Sequence, residues 1–207
     1  MSEGGLRYDR LPLHGRDMWL TIVGAEGAAT LLVLPPLFEE LNRTRALLLQ
    51  TMRALATQGW RCVLPDLPGT GESEAALETV EWRHWRDAAT AASEGAAAAL
   101  SVRGGTLLDD VVERRWRLSP VAGAALVRDL ERTALTGASG YAPCPALLDA
   151  LRDAEPAGEA LTARLASDPA PADIRLEAPP VWRRSEPAGS PALAAALASW
   201  IGPCAAC

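Results

Sequence analysis

The sequence predicts an α/β fold, a mostly parallel sheet flanked by helices, and three observations carry that expectation. The apolar run at 30–34 is followed by a helical stripe at 41–58 and a second apolar run at 60–64, the strand, helix, strand order of parallel sheets. The run at 96–102 is small and apolar, as a strand covered on both faces requires. A late strand pattern at 173–176 leads on toward Trp182, and Ser190-Pro191 then supplies an N-cap and first-turn proline for a closing helix that reaches Trp200.

In chain order, residues 1–16 read as a leader outside the fold. Residues 19–23 and 30–34 flank the turn Gly24-Ala25-Glu26-Gly27, which predicts two adjacent strands of a hairpin, and Pro35-Pro36 stops the second. Within 41–58, Ala46, Leu48, Leu49, Met52, Leu55 and Ala56 form one stripe, closed by Gly59 where helices favour a left-handed residue. Residues 77–93 predict a second helix, with Val80, Trp82, Trp85 and Ala89 mostly on one side as packing anchors and Glu94-Gly95 at its end. After Arg103, the stretch 106–112 allows barely two helical turns, a shortened helix, and 116–121 reads as a strand with more charge than a buried strand usually carries. Segments 124–135, 145–154 and 159–166 predict helices that would form a reduced cap. There is no internal repeat, and 168–173 reads as a connector, so residues 1–207 are expected to form one domain with 202–207 as a flexible tail.

A net charge of −6 gives no electrostatic footprint for nucleic acid. All 20 basic residues are arginine, which excludes Schiff-base or Walker-type lysine chemistry. The N-terminal stretch mixes Glu3, Arg7, Asp9 and Arg10, unlike a secretory signal, and no apolar run approaches the roughly 18 residues of a membrane span, so a cytoplasmic protein is expected. Cys62, Cys144, Cys204 and Cys207 are too few and scattered for a disulfide scaffold. The C-x-x-C at Cys204 and Cys207 lies in the tail with no second pair, and His14 and His84 complete no metal-ligand spacing. Neither metal nor cofactor is expected.

Two motifs carry the chemistry. Asp66-Leu67-Pro68-Gly69-Thr70-Gly71-Glu72-Ser73 follows a strand, and about thirty residues later comes Ser101-Val102-Arg103-Gly104-Gly105. In this order and spacing they resemble the D-x-x-G-x-G-x-S turn and the strand-turn-helix elbow of α/β-hydrolases. Upstream, Leu34-Pro35-Pro36-Leu37-Phe38-Glu39-Glu40-Leu41-Asn42-Arg43-Thr44-Arg45 is similar to the P-P-F-x-E-E-x-N-x-x-R segment of the exosortase A system-associated hydrolases, particularly the type called hydrolase 2. Trp82, Trp85 and Asp87 resemble that family's tryptophan-rich helix with one residue fewer before the aspartate. Val102-Arg103-Gly104-Gly105 resembles its elbow, which also carries an arginine, and Pro179-Pro180-Val181-Trp182 resembles its late P-F-W element. The likeness spans about 31–200. It implies an α/β-hydrolase fold and a setting of exopolysaccharide export and protein sorting in Gram-negative bacteria, and it supplies no substrate.

Against that pattern the elbow apex is Arg103, where a serine nucleophile would stand. An α/β-hydrolase triad runs nucleophile, acid, histidine, whereas His14 and His84 both precede the elbow. Other nucleophiles fit poorly. Ser101 should point into the sheet, Ser73 suits a cap, Cys144 sits between prolines, and Ser139 has Tyr141 where an elbow needs glycine. Oxyanion donors would come from Gly104 and the loop at Leu37-Phe38, but Glu39 and Glu40 on that loop would oppose developing negative charge while suiting a guanidinium. Two readings of Arg103 stand: it binds an anionic ligand, aided by the helix start after it, or Glu39 or Glu40 holds it in a structural ion pair. The candidate pocket is Arg103, Gly104, Phe38, Glu39, Glu40 and Asn42. The expected function is non-catalytic or atypical, binding an anionic small molecule or an export-pathway protein. The alternative is an active hydrolase or acyl transferase with a non-serine mechanism, in which Glu39 or Glu40 directs water.

Overall fold

The computed structural model describes residues 5–135, 142–184, 186–187 and 189–204. Eight strands, β1 Leu6–Leu13, β2 Arg16–Val23, β3 Thr30–Leu34, β4 Arg61–Pro65, β5 Ala96–Val102, β6 Arg115–Leu118, β7 Leu161–Leu165 and β8 Ile174–Leu176, form one sheet in the order β1-β2-β4-β3-β5-β6-β7-β8. Only β2 runs against its neighbours, pairing antiparallel with β1 and β4, and the ladders from β4 to β8 are all parallel. This is the α/β-hydrolase arrangement. From β3 the chain moves to β4 on one side and then returns to β5 on the other. Such a switch point opens a crevice at the carboxyl ends of the strands. The loop after β3 and the elbow after β5 both lie there.

The inner strands are buried on both faces because successive side chains point to opposite sides. Leu31 and Val33 of β3 and Leu100 and Val102 of β5 face a core made with helices α1 Glu39–Ala56 and α5 Pro191–Ile201, through Leu48, Met52, Leu55, Leu193 and Leu197. Leu32, Leu34 and Ala99 face the opposite core, built with α2 Trp82–Ala92, α3 Gly123–Leu135 and α4 Pro145–Arg152 through Trp85, Leu126, Leu147 and Leu151. Helix α5 starts as expected, with Pro191 in its first turn and the Leu193 amide donating to Ser190 Oγ. Among the described residues no helix is long and apolar enough to cross a membrane.

Several expectations are corrected, the flexible tail at 202–207 among them, since Cys204 is buried and its amide donates to the Gln58 carbonyl. Residues 19–23 and 30–34 are not hairpin partners, because β4 lies between β2 and β3. The hairpin partner of β2 is β1, reached through the two-residue turn His14-Gly15 with φ of 51° and 77°. Positive φ at both central residues is the type I′ signature, which matches strand twist. Residues 6–13 are therefore not a leader but β1, paired along its whole length. Residues 159–166 are not a helix: within 161–165 Ala163 and Leu165 are buried and alternate with less buried neighbours, the period of the strand β7. The predicted helix at 77–93 is a 3-10 turn at Leu77–Thr79 and then α2, separated by extended Val80 and Glu81.

The stretch after the elbow also differs from the α-helical turns expected at 106–112. Arg103–Val111 is a 3-10 helix held against the sheet by a buried acid. Asp109, 0% exposed, accepts from Ser101 Oγ at 2.6 Å and from Arg117 Nε and Nη2 at 2.8 and 2.7 Å. Arg117 also donates to the carbonyls of Ala157 and Gly158, and Arg115 to those of Ala157 and Glu159. Asp109 thus meets the two guanidiniums of β6 from the elbow side, Arg117 at 2.7 Å and Arg115 at 3.6 Å. Gly104 and Gly105 favour α-helix poorly, and the bonds from Asp109 to β5 and β6 pull the segment tight.

On the other face Cys62 is fully buried in β4. Burial pushes its thiol from 9.0 up to about 12, because a thiolate there would be unsolvated. A raised native value stabilises the fold fully below the unfolded-state value, and the contribution is lost as pH rises from about 9 through 12. Iodoacetamide at pH 8 is expected to leave Cys62 unmodified in the native protein and alkylate it after unfolding, as read by mass spectrometry.

Candidate functional site

Three loops at the carboxyl ends of β3, β5 and β6 each hold one non-glycine residue at positive φ: Phe38 at 57°, Arg103 at 53° and Ser119 at 47°. Such conformations cost of order 1–3 kcal/mol each and persist only where surrounding structure imposes them. At the elbow that structure is visible. A Cβ on Gly105 would lie 2.4 Å from the Pro35 carbonyl oxygen, and one on Gly104 would lie 2.8 Å from Leu126 Cδ1. The turn is packed against the β3 loop and α3, leaving Arg103 at its apex.

Arg103 is held from three sides. Its Nε donates to both carboxylate oxygens of Glu40 at 3.2 and 3.1 Å, and Nη2 donates to Oε1 at 2.9 Å. Nη1 reaches the Ser119 carbonyl at 3.4 Å, and the guanidinium carbon lies 5.1 Å from the centre of the Trp182 ring. The side chains are 12% and 18% exposed for Arg103 and Glu40, so the pair is largely withdrawn from water and is stronger than a surface pair. Glu39 takes no part; it lies 3.4 Å from Arg43, one helical turn on, and Arg43 Nη1 donates to the Trp182 carbonyl at 3.3 Å. The geometry is that of a guanidinium engaged by Glu40.

Above this pair opens a cleft of about 560 Å³. Leu37, Phe38, Leu126 and Leu130 form its apolar wall, while Glu39, Glu40, Arg43, Asp129, Arg132 and Arg183 supply charge. Asp129 is engaged by Arg132 at 2.7 Å. Arg183 is exposed and makes no ion pair among the described residues. Of the six residues singled out from sequence, Phe38, Glu39 and Glu40 line this cleft. Arg103 lies beneath them on Glu40, Gly104 is buried against Leu37 and Leu126, and Asn42 is exposed on α1 outside the lining.

The other nucleophile candidates are occupied structurally. Ser101 bonds Asp109, and Ser73 Oγ accepts from the amides of Gly69 and Ala75. Cys144 is the residue before α4. Ser139 and Cys207 lie outside the described residues. Both histidines line a second cleft that shares no residue with the first. His14, at the hairpin turn, lies 2.9 Å from Asp87, and His84 Nδ1 accepts from the Glu81 amide at 3.0 Å. Trp85 is a packing anchor, fully buried against Phe38 and Trp82.

Sequence reasoning did not find the α3 wall or Arg183, which come from segments whose placement depends on the whole sheet. The sequence signal for the Asp109 network is the charge carried by β6, Arg115 and Arg117.

No family model matches the chain, and no curated protein matches it. Solved structures do. An epoxide hydrolase from Vigna radiata is 19% identical with a TM-score of 0.43, over 55% of this chain and 40% of that one. Epoxide hydrolase A from Mycobacterium thermoresistibile is 20% identical with a TM-score of 0.45, over 64% and 46%. The thioesterase domain from the curacin biosynthetic pathway is 14% identical with a TM-score of 0.48, over 67% and 56%. The matched region therefore spans about 40–56% of these chains' own lengths.

Proposed function

We propose that this chain uses an α/β-hydrolase fold for binding without serine chemistry, and that the cleft over the Arg103–Glu40 pair receives a small organic anion with an apolar body. The observation that carries this reading is the engagement of the apex guanidinium by Glu40 and the Ser119 carbonyl. An arginine so bound offers neither a nucleophile nor a base at the elbow. The choice of ligand is supported by the apolar wall of Leu37, Phe38, Leu126 and Leu130 beside Arg183, which forms no ion pair among the described residues. The resemblance to the exosortase-associated hydrolases supports a place for this binding in exopolysaccharide export and protein sorting.

An arylsulfonate, 8-anilinonaphthalene-1-sulfonate, combines both features and serves as the probe. It is expected to bind saturably, and Arg183→Ala to weaken it about tenfold, the loss of one charge-assisted contact. Equal affinity in the variant would remove the ligand assignment. Steady turnover of an aryl ester panel, abolished by Glu39→Gln, would favour hydrolysis through a carboxylate-directed water instead.

A further inference from the structure

The second cleft, about 310 Å³, lies between the β1–β2 hairpin and the loop that runs from β4 into α2. Met18 and Val80, both buried, and Leu13 give it an apolar side. Its polar groups are unevenly satisfied. Asp66 is occupied by Arg45 and the Glu72 amide, and Asp17 by Arg10. Thr79 donates to the Ala76 carbonyl. What remains is a set of donors. Because His84 Nδ1 accepts from the Glu81 amide, the neutral ring carries its proton on Nε2, and that N–H has no partner among the described residues. Ser73 Oγ accepts two amides and keeps its own O–H to give. Arg16, beside the hairpin turn, makes no ion pair among the described residues.

We infer that this cleft is a binding site for a small oxyanion on a short apolar body, its headgroup taken by His84, Ser73 and Arg16 and its body laid on Met18, Val80 and Leu13. Three donors lining one cleft whose acids are already paired select an acceptor, and a cationic ligand would find no free carboxylate. The volume lies at the lower end of small-molecule sites, which restricts the body to a few carbons. The inference is independent of the cleft over Arg103.

The histidine side chains of the full chain, followed by long-range ¹H–¹⁵N NMR, read the site directly. Butyrate is expected to shift the His84 resonances saturably, and more tightly than inorganic phosphate, which lacks the apolar body. Read at the His84 resonances, Arg16→Ala should weaken butyrate about five- to tenfold. His84→Gln, which keeps a capping side chain at the third helical position, should fold normally and weaken butyrate as read at the resonances of His14, which lines the same cleft. A silent His84 with both anions, phosphate binding as tightly as butyrate, stronger binding of butylamine, or an Arg16→Ala variant of full affinity would each overturn the assignment.

Discussion

Replacing Asp109 by alanine is expected to destabilise the protein by about 3–5 kcal/mol, the range for removing one partner of a buried ion pair. Asp109 is fully buried and Arg117 is 7% exposed, so the substitution leaves a largely buried guanidinium without its counter-charge. It also deprives Ser101, two residues before the elbow apex, of its nearer acceptor and leaves it the Trp116 carbonyl at 3.4 Å. Urea denaturation measures the loss. The double variant Asp109→Ala with Arg117→Met is expected to recover much of it, because the guanidinium closest to Asp109 is gone while Arg115, 3.6 Å from Asp109, keeps its carbonyl partners. If the single variant were as stable as the parent, the network would not be what holds the 3-10 segment to β5 and β6.

Replacing Arg103 by alanine is the second large effect, expected at about 2–3 kcal/mol in the same measurement. The loss has three parts: the bidentate contact with Glu40, the stacking on Trp182 and the bond to the Ser119 carbonyl. It should be smaller than for Asp109 because Glu40, 18% exposed, can recover some hydration. Glu40→Gln keeps one acceptor oxygen and is expected to cost about 1–2 kcal/mol, so the two substitutions together should cost less than their sum. Arg103→Lys should resemble alanine more than arginine, since a lysine cannot reproduce the planar fork that holds Glu40 and the Ser119 carbonyl together.

The central layers were legible because their pattern is local. In β3, β4 and β5 continuous apolar runs bounded by proline or glycine specify strands buried on both faces, and α1 shows its stripe in one window. Strand β1 was not legible. Its residues are mostly exposed, and Arg7, Asp9 and Arg10 hide any alternation, since the strand packs little and is held by its ladder to β2. Strand β7 resembles a helix in sequence because a five-residue segment between loops offers too short a window to separate a period of 2 from 3.6. At the site, charge complementarity between the two motifs offers a pairing of Arg103 with Glu39 or Glu40 beside the reading of an anionic ligand, and the structure shows the contact with Glu40. Glu39 could not be distinguished from Glu40 without the helix phase, which turns Glu40 inward and Glu39 toward Arg43. The cover supplied by Trp182 and α3 depends on chain reversals more than 20 residues away in sequence.

The most direct test of an elbow without serine chemistry is whole-chain mass spectrometry after exposure of the native protein to a fluorophosphonate, alongside Arg103→Ser. No serine of the parent is expected to be labelled, and the variant is expected to stay unlabelled, because both histidines lie at the other cleft and none is there to take the hydroxyl proton. Stoichiometric phosphonylation of any serine in the parent protein would contradict the account.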